Sequence, residues 1–344
     1  MLYRERTLQT PHGELHTPVL FPVSNIGTRS SDNTPDYTRV IPELNTAMVN
    51  GRAIRQRVDQ WERISDDSRL RAEMEVDDST IIFADSGGYQ FHRTAVDITP
   101  EEVLGVQTTI GADLLGTLDI PLDRGKEQAG NQERISRSIR YALQASDLHD
   151  GPGLLLASVH GLDPRTVENT IAHLERHGCF DGYAIGSLVP IRTDYRKVVS
   201  LILAARRSTD KHLHVYGLGG FVYQPLLLYL GVDSFDSSSF IRSAGKRRYL
   251  IPGLSGHRVR EFETMRYPPC PCPICCDTDL ATIRGSRTLL TMHNLWALTT
   301  ELRTFRFIVH SGRDVEEYLA LRFEGNPVTK RAFEGAKQQI RGFA

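Results

Sequence analysis

Short apolar runs recur along the chain, and most give way to a longer stretch in which apolar residues return every three or four positions. The runs are TPVLFPV (17–23), AMVN (47–50), TIIFADSGG (80–88), LLGTLDI (114–120), GLLLASV (153–159), GYAIGSL (182–188), HLHVYGLGG (212–220) and VDSFDSS (232–238), eight in all. Apolar strands alternating with helices belong to a parallel sheet buried on both faces. Eight such units predict an α/β fold of the (β/α)8 TIM-barrel type. An open, doubly wound sheet shares this periodicity and is the alternative. The clearest helix is 195–207, where Val198, Leu201, Ile202 and Ala205 form one stripe, with Arg196, Lys197 and Arg206 elsewhere. The stretch 51–79 is rich in Arg, Asp and Glu and reads as a solvated helical excursion with no chemistry of its own.

Composition narrows the class. The chain has 344 residues, 40% of them hydrophobic, with 41 Lys+Arg against 42 Asp+Glu. That balance excludes a disordered chain, and 5 cysteines in this length exclude a disulfide scaffold. No window approaches the roughly 20 apolar residues of a membrane span. The opening MLYRERTLQTPHGE has no apolar signal core. The expectation is a cytoplasmic protein without a membrane partner. A net charge of −1 argues against a wholly basic nucleic-acid coat, so any basic patch must be local.

Four of the cysteines, Cys270, Cys272, Cys275 and Cys276, fall within seven residues of YPPCPCPICCD, and Cys179 stands alone. Such spacing suits a metal rather than disulfides, because a C-x-C-x-x-C knuckle offers three thiolates from one turn. The nearest downstream candidate for a fourth ligand is His293, at the start of a predicted helix with Leu295, Leu298 and Leu302 on one face. Cys276 could replace Cys275, and metal-free reduced thiols are the bland alternative. Four protein ligands leave no open position, so one structural zinc per chain is expected. The knuckle follows the eighth strand. This divides the chain into a barrel, 1–265, and a zinc-binding subdomain with C-terminal helices packed on it, 266–344.

Barrel enzymes place their chemistry at the C-terminal ends of the strands. Here those ends carry Asp85-Ser86-Gly87-Gly88-Tyr89-Gln90, Asp119-Ile120-Pro121, His160-Gly161, Gly186-Ser187-Leu188, Tyr216-Gly217-Leu218 and Asp233 with Asp236. A single Asp after a strand commonly caps the next helix, but three such ends bring carboxylates to one mouth. Strand alternation puts Asp233 and Asp236 on opposite faces, so only one of them faces the mouth. The glycines permit close approach to a flat ligand, on which Tyr89 can stack. Paired carboxylates are equipment for chemistry at a sugar C1 carbon, by hydrolysis or by exchange. The run 231–266 adds Arg242, Lys246, Arg247, Arg248, Arg258, Arg260 and Arg266 beside the mouth, either a phosphate-holding strip or an ordinary solvated loop.

Taken in order, TPVLFPVSN, DSGGYQ (85–90), LDIP (118–121), AIGSLVP (184–190), GVDSFDSS (231–238) and CPCPIC…HNL (270–295) resemble the tRNA-guanine transglycosylase superfamily, with wording closer to its archaeal branch. The resemblance spans most of the chain. It implies a (β/α)8 barrel with a zinc subdomain that exchanges guanine in a polynucleotide for a free 7-deazaguanine base such as preQ0 or preQ1. It implies that Asp236 is the nucleophile on C1′ and that Asp85 handles the proton. It further implies that Tyr89 stacks on the base, that Asp119 binds the amidine edge, and that the Ser187-Leu188 backbone reads the base. Tyr216 and His160 stand beside them as base contacts. Arg242, Lys246 and Arg247 are the implied phosphate contacts.

Two departures bear on the substrate. His160 stands where many members have glutamine, which leaves the base open. The sequence ends at Ala344 without the additional RNA-binding domains of archaeal tRNA enzymes, which resembles the DNA-acting branch. DNA is therefore the favoured polymer and tRNA the alternative, with a homodimer or partner proteins of a modification cluster as further partners. A non-catalytic nucleic-acid-binding paralogue and a saccharide hydrolase are the competing readings, and retention of both Asp85 and Asp236 argues against the former.

Overall fold

The structure is a computed structural model describing residues 1–24, 37, 40–51, 54, 67–89, 98–123, 125–252, 257–258 and 267–342. It opens with a hairpin of β1 (Arg6–Thr10) and β2 (Gly13–Thr17). Eight parallel strands follow: β3 (Val19–Pro22), β4 (Thr46–Asn50), β5 (Ile81–Asp85), β6 (Leu114–Gly116), β7 (Leu154–Val159), β8 (Gly182–Ile185), β9 (His212–Val215) and β10 (Ser234–Ser237). Their spatial order is β3-β10-β9-β8-β7-β6-β5-β4. A parallel bridge between Val23 and Met48 joins the two ends and closes the ring. The barrel is thus the architecture, and the open sheet is excluded.

Each strand begins within two residues of the start of its apolar run, but four of the eight end three or more residues before the run does. The run 80–88 stops pairing at Asp85, 114–120 at Gly116 and 212–220 at Val215. The reason is chemical: the excess residues are the Gly-rich, polar segments whose backbone turns away to line the barrel mouth. The hairpin was not foreseen, although Leu8 and Leu15 alternate with polar residues around a Pro-His-Gly turn. Gly13 supplies the positive φ of that turn, 145°. The hairpin plugs the bottom of the barrel, where the His12 amide donates to Asp113 Oδ1 at 2.9 Å.

Two apolar layers hold the ring. Inside it, Leu15, Val19, Phe21, Met48, Ile81, Phe83, Leu114, Leu156 and Ala184 pack together. Outside it, the other faces of the same strands meet helices α1 (Asp67–Glu73), α2 (Pro100–Thr109), α3 (Gln128–Leu148), α4 (Pro164–His177), α5 (Tyr195–Ser208), α6 (Gln224–Tyr229) and α7 (Ser239–Gly245). In α5 all four stripe residues are buried, as their spacing requires. Each buried Leu or Ile of this kind contributes roughly 1.5–3 kcal/mol. The 51–79 stretch departs from expectation where it is described. Arg71 in α1 is 1% exposed and pairs with Asp113, which is wholly buried, at 2.9 Å. Its guanidinium also donates to the Thr80 and Gly111 carbonyls. It ties the helix to the barrel floor instead of solvating it.

Beyond α7 come β11 (Arg248–Tyr249), β12 (His257–Arg258), α8 (Pro273–Asp277), α9 (Leu280–Gly285), α10 (Arg287–His310), α11 (Val315–Arg322) and α12 (Pro327–Arg341). A small apolar cluster of Ala244, Tyr249, Leu280, Ile283 and Leu290 surrounds the buried cysteines. Helix α10 continues from this cluster onto the barrel, packing on α6 and α7 through Leu295, Leu298 and Leu302.

Candidate active site and metal centre

A cavity of about 270 Å³ opens at the C-terminal ends of the strands. Asp85, Asp119 and Asp236 line it with Tyr89, Ser187, Tyr216 and Gly217. Its size lies near the small end of ligand pockets, about 300–1,000 Å³, and suits a single heterocycle. Among the described residues that line it none is basic, and three are carboxylates.

Asp236 sits on β10 with its residue 7% exposed. Its Oδ1 accepts the Gly217 amide at 2.7 Å and lies 3.3 Å from His214 Nε2. Three residues earlier in sequence but at the other end of the barrel, Asp233 accepts from Arg4 at 2.7 Å and from Arg206 at 2.9 Å. Burial opposes ionisation of Asp233, but the guanidinium groups of Arg4 and Arg206 hold its carboxyl below the usual range. Of the two, only Asp236 faces the cavity, as alternation requires.

Asp85 ends β5. Its surface reaches the cavity, yet the surrounding protein strips it of water, and Asp119 and Asp236 add negative potential. These effects outweigh hydrogen bonds from the Gly87 and Ser86 backbone, and its pKa is raised to about 8. A carboxyl that still carries its proton near neutrality is equipped to protonate a leaving group. Tyr216 is likewise held in its phenol form, by burial first and then by Asp85 and Asp119.

Asp119 is held from behind. Ser86 Oγ donates to its Oδ1 at 3.0 Å, and His160 Nε2 lies 2.9 Å from its Oδ2. The far nitrogen, Nδ1, lies 3.0 Å from Ser187 Oγ, which itself accepts the Leu122 amide at 2.8 Å. Ser187 can therefore donate its hydroxyl proton to Nδ1, leaving Nε2–H to donate to Asp119. Ser187 occupies the left-handed region, φ 61°, a strained conformation for a side chain with a Cβ.

The structure brings Asp85, Asp236, Tyr89, Asp119, Ser187 and Tyr216 to one cavity. Tyr89 stands at the rim, 64% exposed. His160 and Leu188 are buried behind the wall, 1% exposed each. The glycines at 88 and 186 also differ from expectation. A Cβ at Gly88 would collide with Asp119, and one at Gly186 would come within 2.7 Å of the His160 ring. They make room for side chains of the pocket, and Gly186 also lines the cavity. Sequence reading passed over His214, Ser86 and Ser234. The strand alternation of HLHVY was the available signal, since it points His212, His214 and Tyr216 to the same side.

Arg242 on α7 and Lys246, Arg247 and Arg248 just after it are exposed and make no ion pair among the described residues. Arg260 and Arg266 lie outside the described residues, as does Gln90, and Arg258 is described in its backbone only.

Cys270, Cys272, Cys275 and His293 are buried together, their donor atoms all within 4.8 Å of one another. Cys276 is exposed and outside the group, so Cys275 completes it. His293 Nδ1 lies 3.4 Å from Cys272 Sγ and 3.3 Å from Cys275 Sγ. Tetrahedral coordination with bonds of about 2.3 Å to sulfur and about 2.0–2.1 Å to nitrogen separates such ligand atoms by roughly 3.5 Å. The opposite nitrogen, Nε2, donates to the Leu250 carbonyl at 2.8 Å. That bond fixes the tautomer that leaves Nδ1 free to bind a metal. Tyr249 lays its ring on His293, centroids 3.7 Å apart, and places its hydroxyl 2.9 Å from Cys275 Sγ. The group can hold one metal ion.

A family model for queuine tRNA-ribosyltransferase matches residues 2–325. The tRNA-guanine(15) transglycosylase of Methanosarcina mazei is 27% identical over 328 residues, covering 90% of this chain and 63% of that protein. The Aeropyrum pernix protein of the same name is 28% identical over 349 residues, covering 97% of this chain and 65% of its own length. The Haloferax volcanii protein is 32% identical over 259 residues, covering 72% of this chain and 49% of its own. The chain thus spans less than two thirds of the length of these relatives.

Proposed function

The chain belongs to the queuine tRNA-ribosyltransferase family, and from that membership and the cavity we propose that it is a pentosyltransferase that exchanges guanine in a polynucleotide for a free 7-deazaguanine base such as preQ0. The observation that carries this reading is the convergence of Asp85, Asp119 and Asp236 on one base-sized cavity, with Asp85 still protonated near neutrality.

Asp236 attacks C1′ of the target nucleotide, the C1′–N9 bond breaks, and the departing guanine takes the proton of Asp85. An ester now joins Asp236 to the sugar. The incoming base gives its ring N–H proton to Asp85 as that nitrogen attacks C1′ and displaces Asp236. Two inversions at one carbon retain the β configuration. Asp119 receives the N–H donors of the base's amidine edge, Tyr89 stacks on it, and Ser187 with Tyr216 closes the wall. A base lacking those donors would leave a buried carboxylate unpaired, which gives strong discrimination. The nucleotide must be extruded from its stack to enter. Arg242, Lys246 and Arg247 would hold the flanking phosphates.

The three cysteines and His293 would hold one zinc ion. With four protein ligands and no open position, its contribution is structural.

The relatives' names favour tRNA as the polymer over DNA, whose case rested on where the sequence ends. Incorporation of labelled guanine or preQ0 into bulk tRNA and into duplex DNA, side by side, tests this. We expect label in tRNA. Asp236→Ala should abolish incorporation while the fold and metal content stay intact, and an active variant would sink the nucleophile. Sugar released with water and no base incorporated would support a hydrolase instead.

A further inference from the structure

Behind Asp236 a chain of buried polar groups runs down the inside of the barrel. His214 Nε2 lies 3.3 Å from Asp236 Oδ1, His214 Nδ1 lies 2.8 Å from Ser234 Oγ, and Ser234 Oγ lies 2.7 Å from His212 Nε2. All three residues are buried, and Phe21, Phe83 and Tyr216 set their ring edges against His214 at 6.1, 4.7 and 4.9 Å between centroids.

Ser234 has one hydroxyl hydrogen and stands between two ring nitrogens, so it donates to one ring and accepts from the other. With both rings neutral, two polarities exist. In one, His212 donates to Ser234, Ser234 donates to His214 Nδ1, and His214 Nε2–H donates to Asp236. In the other, every bond is reversed and a nitrogen lone pair faces the Asp236 carboxylate. A carboxylate that attacks carbon is ionised, and only the first polarity suits it. Burial holds both rings neutral. It lowers His212 to about 4 and brings His214 below the usual imidazole range despite its hydrogen bond to Asp236.

We propose that His214 is a positioning residue for the nucleophile, locked by Ser234 and His212 in the Nε2–H tautomer, and that it joins the Gly217 amide in pinning Asp236 Oδ1 so that Oδ2 is the oxygen that bonds to C1′. This rests on the reading of Asp236 as nucleophile. When the ester forms through Oδ2, Oδ1 becomes its carbonyl oxygen and keeps both donors. As the incoming base breaks the C1′–Oδ2 bond, negative charge returns to the carboxyl group, where those donors stabilise it. The second displacement therefore depends on His214 more than the first, since in the first the donors stabilise the reactant carboxylate. A residue that only filled space would slow neither step selectively.

The test has two arms. In the first, the histidine ring nitrogens of the full chain are labelled with ¹⁵N and their tautomers read by NMR, with His214→Gln identifying the His214 signals. The expected result is a neutral ring protonated at Nε2. Protonation at Nδ1, or an imidazolium at pH 7, would overturn the proposal. In the second, the covalent enzyme–polynucleotide adduct is formed without incoming base, and its breakdown on adding base is timed. His214→Phe, which keeps an aromatic ring among Phe21, Phe83 and Tyr216, should slow breakdown about 10- to 100-fold, the worth of a hydrogen bond to a charged group, and let adduct accumulate. His214→Gln, which restores an N–H donor, should recover most of the rate. Unchanged breakdown in His214→Phe beside an inert Asp236→Ala would remove this inference alone. Exchange by Asp236→Ala would remove the nucleophile reading, and this one with it.

Discussion

His160 touches Asp119 from behind, Nε2 to Oδ2 at 2.9 Å, and takes no part in the cavity wall. On the proposed reading, its effect on the base is transmitted through the carboxylate it holds. Replacing His160 with Phe would leave Oδ2 without its donor and free Asp119 to turn. The KM for free base should rise about 10- to 100-fold, the range for a hydrogen bond to a charged group, with a smaller change in kcat. Steady-state exchange with guanine as the varied substrate checks this.

Asp85 gives the site its pH dependence. Its pKa of about 8 means that the proton offered to the departing guanine is lost as pH rises through that value. Single-turnover release of guanine should therefore be level at neutral pH and decline above about 8. The stability sign is opposite to that of an ion-paired carboxylate. From the unfolded pKa of about 3.9 up to about 8, the unfolded chain gives up this proton and the folded one keeps it, so stability falls by up to about 1.4 kcal/mol per pH unit. Asp85→Asn removes that cost. The variant should melt above wild type at pH 7.5 and close to it at pH 4, as calorimetry would read.

The exposed cations on and after α7 should set affinity without setting which base is exchanged. Each of Arg242→Ala, Lys246→Ala and Arg247→Ala should reduce the slope of log K against log salt by about 0.7–0.9 if the residue meets a phosphate. Fluorescence anisotropy with tRNA across a salt series measures the slope. An unchanged slope in all three would return this strip to an ordinary solvated surface.

Elemental analysis should find about one zinc per chain. Cys179 and Cys276 are exposed, while Cys270, Cys272 and Cys275 are buried. A thiol reagent should therefore modify two cysteines in the loaded protein and all five after chelation, with a lowered Tm. Five reactive thiols before chelation would refute the site.

Much of this was legible in sequence because it is periodic or clustered. The eight apolar runs mark the eight strands, and the knuckle at 270–275 marks the ligand group together with His293. What sequence could not provide was depth. Arg71 reads as one more charge in a charged stretch, and its burial depends on Asp113, 42 residues away. His160 and Tyr216 both follow strands beside the cavity, yet only the folded structure shows that Tyr216 lines it while His160 lies buried behind the wall. The histidines of β9 gain meaning only from Ser234 on the neighbouring strand.

The ring of strands is closed unevenly. Among the described residues, seven of its junctions are paired strand to strand, while Val23 and Met48 share a single bridge, backed by the Ser24 amide on the Met48 carbonyl at 2.8 Å. Both residues also line the cavity. Among the described residues this seam, which borders the cavity, is joined by the fewest paired backbone groups, so a small parting there sacrifices few backbone hydrogen bonds. Any widening of the cavity mouth at low cost in backbone hydrogen bonds would therefore fall at Val23 and Met48, across the ring from the strands that lead to Asp119 and His160.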